Sequence, residues 1–425
     1  MYNLCIFEDT KYRNFLPLTY MRPVYDLSCG LDSLLGKIIR YVPHENVILH
    51  CRPYLKDILK QKHINAMINQ FTTAGATLFI NGRCLADPGL VQGLVFKENK
   101  NYVYLNQQEE VVMAYLCGDS LEVMKKLLTK GPLNCAEVIQ AFRLKSTVKK
   151  LNVSMAGYPW ELLSNFHSKI VEDFRFTAGG VLKGNIHKSA YLINEENIFI
   201  NNGSKIDAFS VLDASEGPIY ISNNVHVHPH SQLKGPLYIG DNSQILGAKV
   251  SSSSVGPFCK IGGEVVSSII LGYTNKAHAG FLGHSYLGEW INLGAMTTNS
   301  NLKNNYKPVK VMIDGSLVQT KETFFGCIIG DHTKTGIGTM LNTGLVIGVA
   351  NNLFGSSLFT QQTIPSYVWG TPSNLTEHFP GKAMLTAQAA MARRSLELTD
   401  ADQEVLKTIY QLTANERFHF LKANC

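Results

Sequence analysis

From Ile186 to Phe359 an apolar residue recurs at every sixth position, in several phases, and neither a helical nor a simple alternating strand template accommodates that spacing. One phase reads Ile186, Leu192 and Ile198, and a second Ile200, Ile206 and Leu212. The longest reads Ile221, Val227, Leu233, Ile239 and Ile245. Fragments follow at Val255 and Ile261, at Phe281, Leu287 and Leu293, and at Leu341, Ile347, Leu353 and Phe359. A hexapeptide parallel β-helix explains the period. Each six-residue unit forms a short flat face, its apolar residue points inward, and Gly, Asn, Asp or Ser turn the corner, as in Ile239-Gly240-Asp241-Asn242-Ser243. The alternative is a β-sandwich with regular turns.

The 425 residues leave room for two or three domains and a large core. A net charge of +6 comes from 39 basic and 33 acidic side chains. The basic residues do not form a stripe with interleaved aromatics, so nucleic acid is not an expected partner; the balance suits small anions such as phosphates and nucleotides. The nine cysteines are scattered from Cys5 to Cys425 without a CxxC pair, which suits reduced, buried thiols. No basic segment precedes an apolar core at Met1-Tyr2-Asn3-Leu4-Cys5, and no apolar run reaches membrane-spanning length. The expectation is a cytoplasmic protein without membrane insertion.

Four segments are expected. Residues 1–155 alternate apolar runs (Asn3 to Phe7, Val47 to His50, Thr77 to Ile80, Tyr102 to Leu105) with helical patterns (Asp32 to Arg40, Tyr54 to Lys60, Ser120 to Leu128), as in an α/β domain with a largely parallel sheet. Residues 156–178 hold a linker helix with a proline start, residues 179–372 the β-helix, and residues 373–425 two closing helices that cap its last coil. Within the β-helix, Ser300 to Phe325 breaks the period and contains the strand-like run Val309 to Ile313, an excursion of the kind that carries function on rigid scaffolds. His226, His228 and His230 alternate on one strand. With no Cys, Asp or Glu in that motif, they read as a solvated face ahead of a metal site, and metal ligands stay unassigned.

The segment Asn275 to Ala295, containing Lys276-Ala277-His278 and Asn292-Leu293-Gly294-Ala295, resembles the acetyltransferase half of the bifunctional GlmU-type enzymes that make UDP-N-acetylglucosamine. Phe15 to Leu27, Gly263-Glu264, Ser300 to Tyr306 and Lys334 to Gly338 are similar to a divergent sugar nucleotidyltransferase branch of the same family, so the resemblance runs nearly the full length. It implies a left-handed β-helix, a homotrimer and acetyl-CoA as cosubstrate. It also implies that His278 takes the proton from the amine of glucosamine 1-phosphate as the nitrogen attacks the thioester. Imidazole suits that task because it titrates near neutral pH, and a positioned base contributes roughly 10²–10⁴-fold. By the same resemblance Asn292, Asn301 and Lys307, with Lys260 and Lys276 nearby, hold the sugar phosphate and acetyl group, and Ala295, Gly336 and Gly355 lie along the pantetheine arm. Two positions depart from the family. Its tyrosine three residues after the histidine is Phe281, and an arginine that grips the sugar phosphate is Gly262.

The first domain departs further. Nucleotidyltransferases of this kind hold the triphosphate on a glycine-rich loop followed by Arg and a Pro-Lys pair. Here Glu8 to Pro23 contains no glycine, leaving Arg13 and Arg22 as candidate phosphate ligands that could instead pair with Asp9 or Asp26. The family's Asn-Gly-Asp is Asn81-Gly82-Arg83, with Asn81 and Arg83 beside the nucleotide and a guanidinium where a Mg²⁺ ligand belongs. Magnesium for this domain therefore needs another carboxylate. Nucleotide handling is expected to depend on Arg22, and Arg83→Asp to leave it intact. The function implied is acetyl transfer to an amino-sugar 1-phosphate and nucleotidyl transfer giving UDP-N-acetylglucosamine. The rivals are a nucleotidyltransferase with a purely structural β-helix, and a non-catalytic nucleotide-sugar-binding regulator.

Overall fold

The computed structural model describes residues 2–71, 75–97, 99–142, 144–177 and 179–424. Cys425 and the linker's last residue, Ala178, lie outside them. The chain forms two compact units: Met1–Phe15, Met21–Leu27 and Asp32–Tyr158 in the first, and Leu16–Tyr20, Ser28–Leu31 and Pro159–Cys425 in the second.

The first unit is a seven-stranded sheet of β1 (Asn3–Phe7), β2 (Val47–Leu49), β3 (Met67–Ile68), β4 (Thr77–Asn81), β5 (Tyr102–Leu105), β6 (Val111–Leu116) and β7 (Thr147–Lys150), in the order β3-β2-β1-β4-β6-β5-β7. β1 runs parallel to β2 and β4, and all five of its residues are buried, which is why it reads as an unbroken apolar run. The sheet is less parallel than expected. β6 was not foreseen, because burial of all six residues erases the alternation that marks a strand, and it lies antiparallel to both β4 and β5. Helices α1 (Leu34–Tyr41), α2 (Lys56–Lys62), α3 (Gly118–Leu128) and α4 (Cys135–Phe142) complete the unit. Ser33 caps α1, its Oγ accepting from Gly36 N at 3.0 Å.

His50, just after β2, is buried, with Nε2 3.0 Å from the Leu128 carbonyl, and burial lowers its pKa to about 4. Between the unperturbed value near 6.5 and about 4, the unfolded chain binds a proton that the folded unit does not, so this group's contribution falls as pH falls through that window. His50→Gln is expected to flatten the dependence of unfolding free energy on pH between those values. Unchanged slopes in urea titrations of both proteins would refute this.

The second unit is a left-handed parallel β-helix whose short strands stack into sheets of nine, eleven and six strands. Its interior is one continuous column of the periodic residues, among them Ile206, Leu212, Ile221, Val227, Leu233, Ile239 and Ile245. Corners follow the expected chemistry: Asn242 takes φ +59, and Asp241 accepts from Asn223 N at 2.8 Å in the preceding coil. Coil length varies, with Ile221 aligned to Ile239, Ile239 to Val255 and Val255 to Ile270, steps of 18, 16 and 15 residues. That shortening corrects one periodic assignment: Phe281 is only half-buried, and its neighbour Leu282 fills the core. The excursion contains a hairpin of Lys310–Ile313 against Ser316–Gln319.

Helix α5 (Pro159–Phe174), expected as a linker, belongs to this second unit, where His167 Nε2 lies 2.9 Å from the Ser252 carbonyl. Three C-terminal helices are described where two were expected: α6 (Pro380–Ala392), α7 (Asp400–Leu412) and α8 (Ala414–Ala423). Only Thr413 separates α7 from α8, so the apolar spacing shows no break. Phe420 and Leu421 pack against the coil core, and the Tyr367 hydroxyl donates to the Leu406 carbonyl at 2.7 Å. The eight described cysteines are free thiols, and among the described residues no helix is long and apolar enough to cross a membrane.

Candidate active site

In the first unit the chain leaves β1 toward β2 and β3 and returns to β4 on the other side of β1. The carboxyl ends of β1 and β4 therefore form a topological switch point, where open α/β sheets place their ligands. Glu8, Asp9, Asn81 and Arg83 all sit there. Arg83 is fully buried and donates from Nε to Asp9 Oδ1 at 2.9 Å, from Nη2 to Asp9 Oδ2 at 2.7 Å and Glu110 Oε1 at 3.1 Å, and from Nη1 to the Ala156 carbonyl at 2.7 Å. Asp9 also accepts from Asn81 Nδ2 at 2.8 Å. Glu8 takes Arg52 Nε at 3.0 Å and Val24 N at 3.0 Å, and burial raises its pKa against the pull of Arg52.

These contacts revise three expectations. Asp9 pairs with Arg83, and Asp26 pairs with Lys62 at 3.1 Å and His63 at 3.1 Å, in place of the Arg13 and Arg22 pairings considered above. Arg83→Asp cannot be neutral, since it would set three acidic side chains together. The carboxylates here do not fit a resident Mg²⁺ as arranged: Glu8 and Asp9 already receive arginine donors, and Glu110 receives both Arg83 and Lys11. Arg13 is exposed on the short helix Thr10–Phe15, whereas Arg22 is buried and its carbonyl accepts from Arg52 Nη2 at 2.8 Å. Arg52 was missed by the sequence reading. It lies beyond the end of β2, 44 residues from Glu8, with Tyr12 stacked 4.2 Å from its guanidinium.

In the second unit His278 is exposed at the corner after the strand Asn275–Lys276. Lys276 stands behind it at a core position, aligned with Ile261 of the preceding coil. It is 2% exposed, donates to the carbonyls of Gly262 at 2.8 Å and His278 at 2.9 Å, and burial lowers its pKa to about 8. A direct substrate role for Lys276 is thus corrected: its ammonium faces two carbonyls and holds the His278 backbone. Gly262 is obligatory, since a Cβ there would lie 2.2 Å from the Ala277 carbonyl oxygen, which accounts for the lost arginine. Gly336 is equally crowded, a Cβ meeting Phe354 Cβ at 2.7 Å, and the Ala295 carbonyl accepts from Gly338 N at 2.8 Å. Gly355 takes φ +103. Close coil-on-coil stacking is sufficient reason for Gly336, and the positive φ for Gly355.

On the outer face of one sheet, Lys260, Asn275, Asn292 and Lys334 align in successive coils. Asn275, Asn292 and Lys334 line a cleft of about 320 Å³ with Trp290, Arg393 and Arg394, the last donating to Asn275 Oδ1 at 2.9 Å. Burial lowers the Lys334 pKa to about 8. Asn275, Lys334 and Arg394 were not foreseen as a cluster, although stepping coil by coil from Lys260 would have found the first two. Asn301 instead lies 2.9 Å from His284 Nδ1, and Lys307 is exposed on the excursion with its backbone N donating to Asn305 Oδ1 at 3.1 Å. An exposed imidazole can receive a proton, and a polar, cationic ladder can hold an anion.

Residues 4–181 match the sugar nucleotidyl transferase family. A bifunctional protein GlmU from Methanococcus aeolicus is 26% identical over 422 residues, covering 85% of this chain and 94% of that protein. Its counterpart from Methanococcus vannielii is 24% identical over 253 residues, covering 57% of this chain and 54% of that protein, so this match spans about half of the relative's length. A bifunctional sugar-1-phosphate nucleotidylyltransferase/acetyltransferase from Sulfurisphaera tokodaii is 32% identical over 91 residues, 21% of this chain and 23% of that one.

Proposed function

We propose a bifunctional transferase of nucleotide-sugar biosynthesis, a reading supported by the match of residues 4–181 to the sugar nucleotidyl transferase family and by the exposed His278 corner. The β-helix transfers acetyl from acetyl-CoA to an amino-sugar 1-phosphate, glucosamine 1-phosphate first. The sugar amine attacks the thioester carbonyl, the new C–N bond forms as the C–S bond breaks, and His278 accepts the amine proton and passes it to the departing sulfur, so that coenzyme A leaves as its thiol. Lys276 keeps the corner in place by holding the His278 carbonyl at 2.9 Å. The observation that supports this reading is the exposed His278 on a rigid coil, three residues after Asn275, the residue of that coil aligned with Asn292. Nucleotidyl transfer to the sugar phosphate, giving UDP-N-acetylglucosamine, is assigned to the first unit. One observation favours a second reading, in which that unit only binds nucleotide: Arg83 closes on Asp9 where a metal would act.

A product assay with each amino-sugar phosphate, acetyl-CoA and the four nucleoside triphosphates tests both readings. N-acetylated sugar phosphate without pyrophosphate release supports the second. No acetylated product with any sugar sinks the first. The active assembly is a homotrimer in this proposal, the excursion reaching a neighbouring coil; a monomer in sedimentation at micromolar concentration would exclude it.

A further inference from the structure

We propose that Asp207, His226 and His228 form a zinc site on the outer face of the β-helix, separate from the acetyl-transfer corner and independent of the function proposed above. The strands Lys205–Ile206 and His226–Val227 are neighbours in one sheet, with Lys205 aligned to His226. Side chains two residues apart on a strand share a face, so His226 and His228 project together, and the coil before them brings Asp207 to the same face. A ligand atom from each of the three lies within 4.8 Å of the other two. His226 Nε2 is 2.7 Å from Asp207 Oδ2, and the rings of His226 and His228 stack at 3.9 Å. His228 Nε2 is buried without a hydrogen-bond partner among the described residues, an unsatisfied nitrogen on the side of the cluster that lacks a donor.

Two imidazoles and a carboxylate suit zinc, whose ligand bonds of about 2.0–2.2 Å put tetrahedral ligand atoms roughly 3.3 Å apart. Small side-chain rotations from the present spacing reach that distance. The cluster is one-sixth to one-third exposed at Asp207 and His226, so water can fill the fourth position. Lys205 approaches the other carboxylate oxygen, Oδ1, at 2.8 Å and leaves Oδ2 for the ion, in the manner of an outer partner that orients a ligand. His230 takes no part: it turns the corner at φ +63 and stacks on Phe209 at 5.4 Å. Because the ligands come from two successive coils, the ion would tie them together and stabilise the folded state by mass action.

The test uses tag-free full-length protein, stripped with chelator and dialysed against zinc chloride. About one zinc per chain is expected to remain, by the ligand count. Asp207→Asn, which keeps the shape and the hydrogen bond to His226, and the double variant His226→Gln/His228→Gln are each expected to weaken zinc at least tenfold, and zinc is expected to raise the melting temperature of the wild type only. Loss of zinc in both variants with unchanged circular dichroism supports the site. Absence of retained zinc in the wild type, or equal zinc content in wild type and Asp207→Asn, overturns it.

Discussion

His278→Ala is expected to lower acetyl transfer by roughly 10²–10⁴-fold, the usual contribution of one positioned general base. Most of that loss belongs in kcat, because the imidazole acts on a proton that moves only as the C–N bond forms; KM for acetyl-CoA should change little. Stability should hardly move. The side chain is exposed, and the corner is held through its backbone carbonyl by Lys276, which the substitution leaves in place. Surface changes of this kind usually stay within about 0.5 kcal/mol. A variant that keeps full activity, or that loses activity only by unfolding, would remove His278 from the mechanism. His278→Gln separates proton transfer from shape, since its amide fills similar space without accepting a proton at neutral pH.

Arg83→Ala is expected to destabilise the first unit by about 3–5 kcal/mol, the range for removing one partner of a buried ion pair. The loss is large because Asp9, 1% exposed at its side chain, would keep a charge with no guanidinium to face it. Glu110 is more exposed, at 14% of its side chain, and retains Lys11, so most of the effect lies with Asp9. Urea titration followed by circular dichroism measures it, and a shift below about 1 kcal/mol would contradict the buried network. Asp9→Asn combined with Arg83→Met should recover much of the loss, since replacing both partners leaves no orphaned charge. Failure of that pair to recover stability would locate the role of Arg83 in its bond to the Ala156 carbonyl.

The period of six by itself determined the β-helix, its inward column from Ile186 to Phe359 and the Asn and Gly corners, because an apolar residue every sixth position is a local property that each coil repeats. The excursion from Ser300 to Phe325, with its strand Lys310–Ile313, was legible for the same reason, being contiguous in the chain. What the period could not convey was the alignment between coils, since coil length shifts from 18 to 15 residues and each shift moves a side chain to a new neighbour. Only that stacking turned Lys276 into a core residue behind His278, set Asn292 beside Lys334 across the excursion, and brought Asp207 to His226 from 19 residues away. In the first unit, likewise, Asn81-Gly82-Arg83 showed that a metal ligand was missing, but strand order decided what replaced it. β1 and β4 are adjacent only in the folded sheet, and there Arg83 meets Asp9 across 74 residues because a buried charge is stable only when it is paired.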